Sequence, residues 1–168
     1  MFLRKIDNLD LYFQYLRKNR EEVESLFNDV LINVTGFFRD PDAFESLRKN
    51  AFPLMMANKG ANSPIRIWVP GCSTGEEAYS LAIALLEFLG EQSSNLQIQV
   101  FATDVSESII QRARTGVYPE SIAMDMSAER LKRFFQKTDG FYQISKAVRD
   151  ICVFAKQDIG KDPPFSKL

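Results

Sequence analysis

Apolar residues in the first thirty positions recur at helical spacing. Leu9, Tyr12, Phe13 and Leu16 form one run, and Val23, Leu26, Phe27, Val30 and Leu31 a second. This is the three-and-four rhythm of two amphipathic helices. Asn19, with Glu22 three residues on, marks the start of the second, because a short polar side chain there accepts from the first free backbone N–H groups. The stripe is expected to be a packing face. Asp40 followed by Pro41 opens a further helical piece, since proline at the first helical position gives up an N–H that has no helical partner. That piece closes near Asn58-Lys59-Gly60. Asn33, Thr35 and Arg39 therefore lie in a connector ahead of a helix.

Beyond the turn-rich stretch from Gly60 to Pro64 the rhythm changes. Ile65 to Pro70 predicts a buried strand and Gly71 to Gly75 a tight glycine loop. Glu76 to Leu89 predicts a helix with Leu81, Ala82, Leu85, Leu86 and Leu89 on one face, closed by Gly90. Leu96 to Asp104 is a second strand, and Ser106 caps a helix that stops at Gly116. A short helix carries Leu131, Phe134 and Phe135, Thr138 to Phe141 is a hairpin-type turn, and Ile151 to Ala155 is a third buried strand. Strands alternating with helices predict an α/β fold with a mostly parallel sheet and right-handed crossovers. The expected organisation is a helical element at 1–32, a connector with helices at 33–64, and a sheet domain at 65–168.

Composition narrows the chemistry. The 168 residues are 45% hydrophobic, and a domain of this size buries roughly 70% of its unfolded surface, so no disulfide or metal is needed for a core. The 21 Lys+Arg against 22 Asp+Glu give a net charge of -1, which argues against a general affinity for nucleic acid. There is no histidine, which excludes Ser-His-Asp and Cys-His catalysis and histidine-held metals. Cys72 and Cys152 form no CxxC pair and point to a reducing compartment. No apolar stretch is long enough to span a bilayer, and the expected location is cytoplasmic.

A glycine loop between a strand and a helix lets backbone approach a ligand and aims helix N–H groups at it. Here the spacing is Gly71-x-x-x-Gly75 rather than G-x-G-x-x-G, and Glu76-Glu77 at the helix start would repel a pyrophosphate. A dinucleotide oxidoreductase is disfavoured. Asp104, at the carboxyl end of the second strand, is placed to accept from ribose hydroxyls, and Glu77 to balance a cation. S-adenosylmethionine joins an adenosine to a sulfonium and an ammonium, and so meets both. The alternative is that Glu76 and Glu77 only stabilise the helix start and Asp104 only caps the next loop. Phe37, Phe38 and Phe44 are expected to pack the helical element against the sheet domain, Trp68 to sit in the core, and Tyr118 to close a helix turn. Cys72 in the glycine loop is read as small rather than reactive.

Four ordered segments carry a resemblance: NVTGFFRDP from Asn33 to Pro41, GCSTGEEAYS from Gly71 to Ser80, ATD ending at Asp104, and ARTGVY from Ala113 to Tyr118. The chain resembles the chemotaxis receptor methyltransferases of the CheR family. It is especially similar to the methyltransferase part of CheB/CheR fusion proteins, through LINVT from Leu31 and KDPPFSKL from Lys161. The resemblance implies a small helical N-terminal domain joined to the first half, three strands, of a class I methyltransferase Rossmann-like sheet. It implies transfer of a methyl group from S-adenosylmethionine to glutamate side chains of a chemoreceptor, leaving S-adenosylhomocysteine. The family's cofactor contacts fall on Asn33, Thr35, Arg39, Glu77 and Asp104, with Gly71 in the loop. A family Asn-Leu pair aligns with Asp158-Ile159, a departure, since Asp cannot donate as an amide does.

A glutamate carboxylate is already a nucleophile at neutral pH, so the missing histidine is no obstacle. Catalysis then rests on alignment, and Arg39 is the expected orienting group for the substrate carboxylate, its alternative being a salt bridge to Asp40 or Asp42. The family continues through a fourth strand with a Cys-Arg-Asn motif, in strand order 3-2-1-4-5-7-6. The chain is therefore expected to be truncated at its C-terminus, with an open sheet edge prone to self-association. A non-catalytic cofactor-binding or docking module of a signalling fusion is the second functional reading.

Overall fold

The structure is a computed structural model and describes residue 6 and residues 8–30, 35–58, 60 and 63–165. It divides into two compact units, Met1–Asn33 and Val34–Leu168. The first holds α1 (Leu9–Lys18) and α2 (Arg20–Val30). Asn8 Oδ1 caps α1 by accepting from the N–H groups of Asp10 and Leu11. Asn19 Oδ1 takes the N–H of Glu22 at 3.2 Å, as its spacing predicts. Tyr12 is buried and donates to Glu22. Leu9, Phe13, Val23 and Phe27 are exposed, because two short helices bury only the positions that face each other. Leu31 and the Val30 side chain lie outside the described residues.

The second unit begins with α3 (Pro41–Ser46), a π-helical turn (Leu47–Ala51) and α4 (Phe52–Ala57). Pro53 has no N–H to return to the carbonyl four residues back, which accounts for the widened turn before it. Then follow β1 (Ile65–Pro70), α5 (Glu76–Leu89), a 3-10 turn (Gly90–Asn95), β2 (Ile98–Asp104) and α6 (Glu107–Thr115). β3 (Val117–Pro119), a 3-10 turn (Glu120–Met124), α7 (Ala128–Phe134), β4 (Phe135–Thr138), β5 (Phe141–Ile144), α8 (Lys146–Arg149) and β6 (Cys152–Lys156) complete it.

Parallel strands β1, β2 and β6 form one sheet with β2 in the middle, in register at Trp68↔Phe101 and Ala102↔Phe154. α5 and α6 pack on β2 and β6, and Ile83, Leu85, Val100, Ala102, Ile110 and Phe154 form the core there. The chain is α/β, a partial Rossmann-like domain. Trp68 corrects its expectation: it is half-buried, donates to Thr103 Oγ1 at 3.0 Å, and meets the Phe165 ring at 5.7 Å.

A second, antiparallel sheet has the order β3-β5-β4. The hairpin turn falls at Asp139-Gly140, both at positive φ, as the sequence predicts. Two details differ. Phe135, expected on a helix, is the first residue of β4 and pairs with Ile144. Val117–Pro119 is a strand that three residues are too few to reveal by period. Among the described residues no helix is long and apolar enough to cross a membrane.

Candidate functional site

The glycine loop leaves β1 at its carboxyl end. Gly71 and Gly75 have φ of +67° and +97°, the left-handed region that side chains resist. At Gly75 space is also denied: a Cβ would lie 3.1 to 3.2 Å from Ala113 Cβ, the Phe154 ring and the Tyr118 hydroxyl. At Gly71 nothing lies within 4 Å of that point, so the loop's outer end is open. Ser73 also has positive φ, +47°. Its N–H donates to Asp104 Oδ2 at 3.0 Å, while its buried hydroxyl has no protein partner.

Asp104 closes β2 beside this loop. Its other oxygen, Oδ1, accepts from the N–H of Ser106 at 3.0 Å. Asp104 thus closes a turn just ahead of α6, and Ser106, at the N-cap position, makes no side-chain cap bond; its hydroxyl meets that of Ser108 instead. Each carboxylate oxygen retains a second lone pair. Glu76 and Glu77 occupy the first turn of α5. Glu76 accepts from Thr74 Oγ1 at 2.6 Å, and Glu77 is exposed. The Cys72 thiol registers this negative field: burial first, then Asp104, Glu76 and Glu77, push it up to about 12. Cys72 is thus small and buried, as its position in the loop suggests.

Tyr118 corrects its expectation of closing a helix turn. It is buried and donates to the Thr74 carbonyl at 2.8 Å, propping the loop from below, and burial drives its phenol far upward. Tyr79 in turn donates to the Ala113 carbonyl at 2.9 Å.

The segment from Thr35 to Arg39 joins the start of α5. The Phe38 N–H donates to Ser80 Oγ at 3.0 Å, and Ser80 donates to the Glu76 carbonyl at 2.7 Å. The Phe37 ring meets Tyr118 at 4.8 Å and Phe135 at 5.4 Å. Phe38 meets Phe44 at 5.0 Å. These aromatic partners all lie in the second unit. Thr35, Gly36, Arg39 and Asp125 line one cavity of about 360 Å³, and Arg39 is exposed. Ser80 and Ser73 stand within a quoted motif, but the sequence assigned no role to the Ser80 hydroxyl or the Ser73 N–H. Ser80 sits one helical turn beyond Glu76, the only signal the sequence offered.

Asp158 and Ile159 follow β6. Asp158 is closed in its own turn: its carboxylate accepts from the Gly160 N–H at 3.0 Å and pairs with Lys161 at 3.1 Å. Both hold its carboxyl below the usual range. Ile159 is exposed. Asn33 lies outside the described residues.

Residues 33–168 match the family model described as CheR methyltransferase, SAM binding domain. The chain belongs to the CheR methyltransferase family. All 168 residues align at 37% identity with the "Uncharacterized 104.1 kDa protein in hypE 3'region" of Rhodobacter capsulatus, covering 18% of that protein. A chemotaxis protein methyltransferase of Borreliella burgdorferi is 31% identical over 95% of the chain and 59% of its own length. Chemotaxis protein methyltransferase 1 of Pseudomonas aeruginosa is 35% identical over 86% of the chain and 54% of its own length. The chain thus spans a small part of the first relative and somewhat more than half of the other two.

The cofactor of a CheR domain is S-adenosylmethionine, and the residues present fit it. Open space at Gly71, an orphaned hydroxyl at Ser73 and a carboxylate field that favours a cation surround one loop. The same field disfavours a phosphate ligand.

Proposed function

We propose that this chain is the cofactor-binding half of a protein-glutamate O-methyltransferase acting on chemoreceptor cytoplasmic domains. The observation that carries the reading is the hydrogen-bonded path from Asp104 through Ser73 to the glycine loop, and from Glu76 through Ser80 to Phe38. It gathers three distant motifs at one end of the parallel sheet. Asp104 and the loop at Gly71 are the adenosine side, Glu77 the cation side, and Thr35 and Arg39 further cofactor contacts, Arg39 also facing the substrate. Asn33 is proposed with them by its place in the same motif. Asp158 and Ile159 remain proposed adenine-side contacts, Asp158 through whatever acceptor capacity its turn leaves.

When bound, the cofactor supplies a methyl group activated on a sulfonium. The chain's own work is placement. Glu77 favours the cationic end, and Arg39 orients an incoming glutamate carboxylate by the planar fork of its guanidinium. No residue need remove a proton, because a glutamate is ionised at neutral pH. Calorimetric titration with S-adenosylhomocysteine tests the site: saturable binding is expected, and Asp104→Ala is expected to abolish it. Equal binding by the variant would refute the assignment. Labelled-methyl transfer to a receptor fragment, lost when the receptor's glutamates become glutamines, tests the reaction.

A further inference from the structure

Phe38 is the one aromatic residue among the described ones with a left-handed backbone, at φ +50°. A bulky side chain holds such a conformation only where its surroundings impose it. Two groups on α5 do so. Ser80 takes the Phe38 N–H. Glu87, two turns further along the same helix face, grips Arg130 of α7 through two bonds of 2.8 Å, Nε to Oε1 and Nη2 to Oε2. The Arg130 guanidinium lies 4.0 Å over the Phe38 ring, and Phe44 meets that ring at 5.0 Å. The pair is part-buried, with side-chain exposures of 33% and 24%. A guanidinium shielded this far keeps its attraction both to the carboxylate and to the ring face.

We propose that Arg130 is a positioning residue for the methyl-transfer site. Held by Glu87, it clamps the Phe38 ring and so fixes where the adjoining Arg39 and Thr35 are presented. Nothing in the motifs singles it out, because it acts from a short helix more than ninety residues away along the chain. The proposal rests on the reading of Thr35 and Arg39 given above.

The test compares wild type with Arg130→Lys, which keeps the cation but not the two-pronged bond, and Arg130→Met, which keeps neither. Glu87→Gln covers the event that Arg130→Met does not fold. Hydrogen exchange at the Phe38 amide reads the clamp directly, and titration with S-adenosylhomocysteine reads its consequence. Arg130→Met is expected to speed that exchange and weaken binding by about tenfold, with Arg130→Lys between it and wild type. A general loss of stability would lower the melting temperature without localising the change at Phe38 or restoring affinity in the Lys variant. Unchanged exchange and affinity in Arg130→Met and Glu87→Gln, with binding still lost in Asp104→Ala, would overturn the clamp and leave the site reading intact. Absence of binding by wild type would overturn the site reading and this proposal with it.

Discussion

Two glycines in one loop carry different constraints, and the difference is measurable. Gly75→Ala meets both a left-handed backbone and three atoms at 3.1 to 3.2 Å. It is expected to cost about 2–4 kcal/mol in denaturant unfolding. Gly71→Ala meets the backbone penalty alone, about 1–2 kcal/mol, yet fills the open space at the loop's outer end. Its larger effect is therefore expected in S-adenosylhomocysteine affinity. Cys72 adds a pH dependence. Its thiol is raised from 9.0 to about 12 in the fold, so the folded state keeps a proton that the unfolded chain gives up. That contribution is whole below pH 9 and is lost as pH rises toward 12. An aromatic disulfide reagent at pH 8 should leave Cys72 unmodified in the native chain and modify it fully in denaturant. From the sequence, Glu77 is read as a partner for a cation and Asp104 as an acceptor for ribose hydroxyls. Ser73 was not legible there, because a hydroxyl without a partner and a left-handed φ exist only in three dimensions.

Elements whose sequence carries both a period and a punctuation mark were readable. β1, α5 and β2 fall where apolar runs meet Gly71, Gly75 and Gly90, and the hairpin turn falls at Asp139-Gly140. β3 was unreadable, since Val117–Pro119 is too short for a period and is made a strand by pairing with β5. The π-helical turn between α3 and α4 has its own electrostatic support. Glu45 pairs with Arg48 and Lys49 at 2.7 and 3.1 Å, and their hydrogen bonds hold its carboxyl down from 4.5 to about 2. A depressed folded value stabilises above the ordinary one and is lost as pH falls through the folded one. Melting temperature should therefore fall between pH 4.5 and 2 more in wild type than in Glu45→Gln. Equal slopes would show the pairs to be idle at this surface.

At the scale of the molecule, β1 and β6 are the two edges of the parallel sheet, and an exposed edge is a template for another strand. Sedimentation velocity over a hundredfold concentration range is expected to show reversible self-association of this chain. A monodisperse monomer throughout would mean that the edges are protected. The sequence by itself determined the α/β class, the order of the parallel strands' elements and the glycine loop between β1 and α5. Periodicity and turn chemistry are local properties, and four motifs name a family. Only the tertiary structure decided which residues share the site. It brought Ser80 beneath Phe38, Tyr118 beneath Thr74 and Arg130 over the Phe38 ring. Such contacts join positions 42 to 92 residues apart, and no local pattern encodes a distance that sheet register and helix packing alone set.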